Sequence, residues 1–244
     1  EHEIGLMLER WQQTEDGEGQ VVLLSGEPGV GKSRITQALR ERIAAEPHIR
    51  LRYQCSPYHA NSAFHPIIEQ IARAAGFERD DTPADKLDKL EALLKRSAED
   101  VTRVAALFAA VLSLPLDRYP PSSLSPQRQK ESTIAAFLEQ TVALSGQQPV
   151  LMIFEDMQWV DPSTLETLTA VIDRIRNARV LLVVTYRPEF EPPWSGYSHV
   201  TAHELNRLSR RQGADLAAKV AGAKALPTDV LQQIVAKTDG VPLF

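Results

Sequence analysis

An α/β fold, a parallel sheet with helices on both faces, is what the sequence predicts, on three observations. Short β-rich apolar runs at 20–26, 49–55, 149–156 and 179–187 alternate with stretches of good helix formers at 32–45, 63–75, 84–97, 101–112, 126–144 and 163–177. The runs are apolar nearly throughout, so the strands are to be buried on both faces, as happens when crossover helices cover a parallel sheet. The segment "GEPGVGKS" stands directly after the first run and opens the first of those helices.

The chain of 244 residues is 43% hydrophobic and 24% charged, enough for one large α/β domain with a proper core and a small second unit. Its formal charge of −5 excludes a surface that binds nucleic acid or anionic membrane as a whole, which needs a basic excess. No apolar run approaches the roughly 18 residues that span a bilayer. The opening "EHEIGLMLER" is acidic and amphipathic, unlike a basic-then-apolar leader. A single cysteine, Cys55, permits no internal disulfide and suits a reducing cytoplasm.

Taken in order, "QVVLLSG" is the first strand and its closing glycine begins a turn into the helix at 32–45. "IRLRYQC" is the second strand. Four helices follow, several opened by Ser, Thr, Asp or Pro, with the proline-rich loop "RYPPSSLSP" before the last of them. "PVLMIFED" is the third strand, "DPST" starts the helix at 163–177 with Pro162 in first position, and "RVLLVVTYR" is the fourth strand. After "EFEPPWSGYSH" the character changes to helix and loop. A division is therefore drawn near Pro193, between a core over 1–193 and a small helical segment over 194–244 built on "LSRRQGADLAAKVAG" and "PTDVLQQIVAKTDG".

"GEPGVGKS", Gly26 to Ser33, has the spacing of a phosphate-binding loop, G-x-x-x-x-G-K-S/T, between a strand and a helix. Successive amide hydrogens can all point at one phosphate only with backbone angles and a close approach that a Cβ obstructs, hence Gly26, Gly29 and Gly31. Glu27, Pro28 and Val30 complete the cradle. Lys32 is expected to reach the β- and γ-phosphates and Ser33 to offer its hydroxyl to magnesium, while the helix start adds about half a positive charge. Arg34 either touches phosphate or pairs with a neighbouring acid.

Such a loop gives the acids of "FEDMQWVDPST" a purpose. Phosphate-bound magnesium keeps several waters and takes one carboxylate directly or through water, and Glu155 is the candidate. Asp156 is placed to polarise the attacking water, with a helix cap as its alternative. Asp161 reads as a cap and Trp159 as packing. His59 and His65 lack a Cys or carboxylate pattern for metal and read as surface or capping residues. Cys55 reads as a small buried hydrophobe, and the arginine pair of "LSRRQG" as solvated.

"GEPGVGKSR", "FEDMQWVDPSTLE" and "VVTYRPE", together with "RYQCSPYHANSAFHPIIEQIAR" and the terminal "TDGVPLF", resemble the signal-transduction ATPases with numerous domains, an AAA+-related branch of the P-loop ATPases. Within that branch they are similar to the ATPase region found behind bacterial class III cyclase domains and in large LuxR-type regulators. The likeness runs through nearly all of the chain. It implies a P-loop NTPase fold, with a five-stranded parallel sheet of order 5-1-4-3-2 between helices and a small C-terminal helical subdomain. It also implies that Glu155 and Asp156 form the Walker B pair and that Arg187 is the sensor facing the γ-phosphate. By the same resemblance Pro242, in a glycine-x-proline motif, brings the C-terminal helices against base and ribose, with Gly240 ending the preceding helix. Many relatives carry Asp-Asp where this chain has Glu155-Asp156. "EHE" matches the last part of the family's G-R-E-x-E opening motif, so the chain reads as an excised domain without the flanking output and sensor domains of its relatives.

Two functions are expected from these readings. One is a nucleotide-controlled switch that binds ATP or ADP with Mg2+, hydrolyses ATP slowly, moves an attached output domain and self-associates as nucleotide dictates. The other is a turnover-driven ATPase acting on nucleic acid or protein. The first is favoured, because neither a basic stripe nor a pore loop is visible. Cyclic-nucleotide synthesis by this segment is excluded, because the paired metal-binding aspartates of a cyclase core are not recognisable.

Overall fold

The computed structural model describes residues 2–194, 196–222 and 228–242. The strands are β1 (Gln20–Gly26), β2 (Ile49–Gln54), β3 (Val150–Glu155), β4 (Val180–Tyr186) and β5 (Val200–Leu205). They form one sheet in the order β2-β3-β4-β1-β5, every neighbouring pair parallel. This is the order the resemblance implies, read from the other edge. β3 and β4 are buried along their whole length, as runs without polar alternation require.

The helices are α1 (His2–Glu15), α2 (Lys32–Arg42), α3 (His65–Ala75), α4 (Pro83–Leu94), α5 (Val101–Val111), α6 (Pro126–Gln147), α7 (Pro162–Arg174), α8 (Arg210–Ala221) and α9 (Thr228–Thr238). Successive side chains on a strand point to opposite faces, and the sheet shows it. Leu24, Ile153 and Val183 pack with Met7 and Trp11 of α1 and Leu39 of α2 on one face. On the other, Leu23, Phe154 and Val184 meet α3 to α7 through such residues as Ile71, Phe137 and Leu168. Tyr53 lies stacked on Phe154 with ring centroids 4.1 Å apart and planes 8° from parallel.

Short polar side chains start the helices as the sequence suggests. Thr82 and Asp85 close a capping box at α4, Asp100 caps α5 and Ser125 caps α6. The ends are less faithful: α2 stops at Arg42 and α4 at Leu94, each three residues short of the expected limit.

One expectation is corrected. The stretch after Pro193 was expected to hold only helix and loop, yet it contributes β5, paired to β1 with Val21 opposite Val200 and Gly26 opposite Leu205. The sheet thus continues past the division drawn near Pro193. "VTAHEL" escapes notice because an edge strand needs no continuous apolar run: before Leu205 its residues are partly buried or, at Ala202 and Glu204, exposed. All five strands run the same way, so the turns leaving β1, β2, β3 and β4 gather at one edge of the sheet, where open α/β folds place their ligands.

Candidate functional site

At that edge the segment from Gly26 to Ser33 turns tightly into α2. A Cβ on Gly26 would stand 2.8 Å from Val30 Cγ1 and 3.0 Å from the carbonyl oxygen of Leu205, at a φ of +155°. Gly31 is the residue before α2 at φ 114°, and it offers no side-chain cap, which leaves the amides of the first helical turn to an outside anion. Lys32 is buried, and its ammonium donates to the carbonyls of Gly26 at 2.6 Å and Glu27 at 3.1 Å. Burial pushes its pKa below the ordinary lysine value, against the opposing pull of the Asp156 carboxylate.

The two adjacent acids part company. Glu155 is buried at the end of β3, where the Arg52 guanidinium of β2 donates to its carboxylate. Asp156 steps out of the strand with φ 59° and faces the phosphate loop. Three groups hold it there. The Gln54 amide donates to one carboxylate oxygen at 2.7 Å, the Gln158 amide to the other at 3.3 Å, and the Asp156 backbone N–H donates to the Thr185 hydroxyl at 3.3 Å. Asp161 is the cap it was expected to be. It accepts from the backbone of Ser163 and Thr164 at the start of α7, from the Thr164 hydroxyl, and from the amide of Phe64 across the chain.

Of these groups Gly31, Lys32 and Asp156 line a cavity of about 810 Å³. One wall is Pro28, Gly29, Gly31, Lys32, Ser33 and Arg34, with Asp156 and Arg187 beside them. Gly26, Glu27 and Val30 do not face it: Val30 packs in the core and the Glu27 carboxylate accepts from Arg207. Arg34 lines the cavity and also pairs with Glu41 at 3.2 Å, so both readings of that residue have a structural basis. The Arg187 guanidinium lies 6.0 Å from the Trp159 ring centroid, and its backbone N–H donates to Gln158. Trp159 therefore packs, as expected, and Arg187 is among what it packs against.

The facing wall comes from the C-terminal helices. Leu216, Val220, Ile234, Val241 and Pro242 present an apolar surface to the phosphate loop. The chain closes back on itself where the Leu208 N–H donates to the Gly240 carbonyl at 2.7 Å, and Gly240 has the φ of 74° that such a turn favours. Leu243 and Phe244 of "DGVPLF" lie outside the described residues. Arg207 adds a polar link, donating to Glu27 at 2.9 Å and to Asp239.

Sequence reasoning missed Gln54, Gln158, Thr185 and Arg207. A signal existed for the first: Gln54 ends β2 at the edge where open α/β folds place their ligands, and its Cα pairs in register with Glu155. The others are ordinary polar residues whose role appears only when distant turns meet. His59 lies against His65, the first residue of α3, with ring centroids 3.6 Å apart.

Comparison with known proteins gives the geometry a lineage. An uncharacterized protein of Rhizobium meliloti (strain 1021) is 29% identical over the whole of this chain, which spans only 24% of that relative's length. The structure of Drosophila ORC bound to DNA is similar in fold, with a TM-score of 0.52 at 12% identity over 99% of this chain and 51% of that one. A signal-transduction ATPase with a tetratricopeptide repeat sensor from Pyrococcus horikoshii aligns over 96% of this chain and 28% of its own, at 13% identity and a TM-score of 0.44. Residues 1–184 match the AAA ATPase domain family, so the chain, with its phosphate loop and parallel sheet, belongs to that family.

Proposed function

We propose that this AAA ATPase domain is a nucleotide switch that binds ATP or ADP with Mg2+, hydrolyses ATP slowly, and converts the change into a different packing of α8 and α9. The supporting observation is the cavity itself, walled on one side by the phosphate loop, Asp156 and Arg187 and on the other by the C-terminal helices and Pro242. A polar, cationic half suits phosphates and an apolar half suits a base.

Each side chain then has a task. Lys32 exchanges its bonds to the Gly26 and Glu27 carbonyls for the β- and γ-phosphate oxygens, while the start of α2 binds the same charge. Ser33 and Asp156 line one cavity with a hydroxyl and a carboxylate, an oxygen set that fits a hard divalent ion keeping water and phosphate ligands. Bound magnesium would supply charge neutralisation for the transferred phosphoryl group. Asp156, fixed by Gln54 and Gln158, orients the attacking water. Glu155, the sequence's first candidate for the metal, is paired with Arg52 and does not line the cavity. Arg187 contacts the γ-phosphate and so distinguishes ATP from ADP.

The wider role is proposed on the same footing: a regulatory module in a cytoplasmic multidomain protein, attached to a cyclase or transcription-regulator output. The sequence resemblance supports it, as does a relative some four times as long. Among the described residues no helix is long and apolar enough to cross a membrane.

The test has two parts. Nucleotide at a hundred times its dissociation constant should stabilise the domain by about 2.7 kcal/mol, and Lys32→Ala should abolish the thermal shift. No shift in the wild type would end the proposal. Asp156→Asn should spare binding and slow turnover more than Glu155→Gln does, and equal wild-type rates in both would remove Asp156 from its role. Truncation after Asn206 leaves β5 intact and should weaken ADP more than ATP. Undiminished turnover and ADP affinity in that protein would favour the second reading, an ATPase acting on nucleic acid or protein.

A further inference from the structure

Arg187 has a stiff base and a long, free side chain. Pro188 follows it and narrows its backbone to extended angles. Its N–H donates to Gln158 Oε1 at 3.2 Å and its carbonyl accepts from the Phe190 N–H at 3.0 Å. The place of the guanidinium is therefore decided along the side chain, and two neighbours compete for it. The Glu189 carboxylate comes no nearer than 4.0 Å, too far for a hydrogen bond, and at 61% exposure its pull is screened by water. The other neighbour is the Trp159 ring, with its centroid 6.0 Å from the guanidinium carbon.

Trp159 is a firm support. It ends the short helical turn Met157–Trp159 that Asp156 begins, and its N–H donates to the Asp156 carbonyl at 3.0 Å. Its ring packs, partly buried, against the core on the α3 to α7 face of the sheet. Arg187 lines the nucleotide cavity and Trp159 does not, so the ring can act on a nucleotide only through the arginine. Inside the cavity the charges oppose this placement. Burial is the first cause of the low Lys32 pKa, and against the pull of Asp156 the Arg187 charge lowers it further, so the two cations repel. Without an aromatic face beside it, the guanidinium would turn from Lys32 towards Glu189 and water.

We propose that Trp159 is a positioning residue: its ring face holds the Arg187 guanidinium at the cavity wall, where a γ-phosphate would meet it, and so sets how strongly the domain prefers ATP to ADP. A guanidinium suits the task because it stacks on an aromatic face while its N–H groups stay free for phosphate oxygens. The inference rests on the sensor role proposed above for Arg187. Gln158 extends the placement to the hydrolytic acid, since the amide whose oxygen accepts from Arg187 donates through its nitrogen to Asp156 at 3.3 Å.

The test compares the affinities of ADP and of the slowly hydrolysed analogue ATPγS, with magnesium, by calorimetry. Trp159→Leu should lower the ratio of ATPγS to ADP affinity by about two- to fivefold, the equivalent of a cation–aromatic contact of about 0.5–1 kcal/mol, and leave ADP affinity unchanged. Trp159→Phe, which keeps a ring face, should recover part of the ratio. In an Arg187→Ala background Trp159→Leu should change nothing further, whereas damage done through the phosphate loop or Asp156 would persist there. Should Trp159→Leu fail to fold, indole emission of the wild type decides: ATPγS should change it more than ADP does, and Arg187→Ala should abolish the difference. An unchanged ratio in folded Trp159→Leu overturns the proposal, as does the same loss in the Arg187→Ala background or an equal emission change with both nucleotides. These failures leave nucleotide binding intact. Absence of binding by either nucleotide in the wild type would end the switch reading itself, and this inference with it.

Discussion

β3 and α8 are held in the same molecule by different forces. All six residues of β3 are buried, between two layers of helix. α8 has twelve residues and none of them is buried. The strand is fixed by removal of apolar surface from water, which is large and non-directional. The tail that carries α8 and α9 is fixed by a few placed contacts: the Leu208 amide on the Gly240 carbonyl, and Arg207 between Glu27 and Asp239. A ligand can shift only an equilibrium whose two states differ by less than its own differential affinity. In the proposed switch, the moving part therefore belongs to the side of the cavity with the least burial, the tail and not the sheet.

The comparison breaks first if the sheet proves soft. Phe154 is fully buried and stacked on Tyr53, so Phe154→Ala should destabilise the whole domain by about 3–5 kcal/mol in urea unfolding. A cost below about 1 kcal/mol would mean that core burial is not what separates the two regions.

The same contrast explains what the sequence made legible. β1, β3 and β4 are readable because burial on both faces writes itself as an uninterrupted apolar run, and the phosphate loop because its glycines answer a steric demand that few other residues meet. β5 is not, since an edge strand beside β1 is half exposed and "VTAHEL" carries polar residues accordingly. Asp161 was legible as a cap from "DPST" alone, a contact local in sequence. The separation of Glu155 from Asp156 was not, because it depends on Arg52 and Gln54 from a strand about a hundred residues away. Local chemistry is written locally; the division of labour between neighbouring acids is written in whatever the fold brings beside them.

A sharper test isolates the tail. A Cβ at Gly240 would stand 2.4 Å from the Leu208 carbonyl oxygen, at a φ of +74°. Gly240→Ala should cost about 1–2 kcal/mol from the left-handed backbone alone, with the clash in addition. It should spend that cost on undocking α8 and α9, not on the sheet. Hydrogen exchange should quicken across 209–239 while β1, β3 and β4 keep their protection. Uniform acceleration through the sheet would show tail and core to be one cooperative unit.

The smallest effect is expected at Arg207, and it separates a polar link from mere packing. Its guanidinium is exposed, and solvent screening keeps such pairs weak, so Arg207→Ala should leave global unfolding unchanged within error. Yet the residue joins Glu27 of the phosphate loop to Asp239 at the end of α9, so it connects the two walls of the cavity at the point where bound phosphate would rearrange the loop. Its partners make the direction plain: the hydrogen bond and charge of Glu27, then Asp239, raise the Arg207 pKa, so the group stays cationic at any pH where the domain is folded, and pH cannot imitate the mutation. Salt can. Exchange in α8 and α9 should be faster in Arg207→Ala than in wild type at low ionic strength, and the gap should close as salt screens the wild-type pair over a Debye length of about 3 Å near 1 M. Arg207→Lys should recover only part of it, since one ammonium lacks the fork that spans two carboxylates. If the gap persisted at high salt, the tail would be held by packing in the cavity rather than by Arg207, and the phosphate loop would have to signal to α8 and α9 through the nucleotide alone.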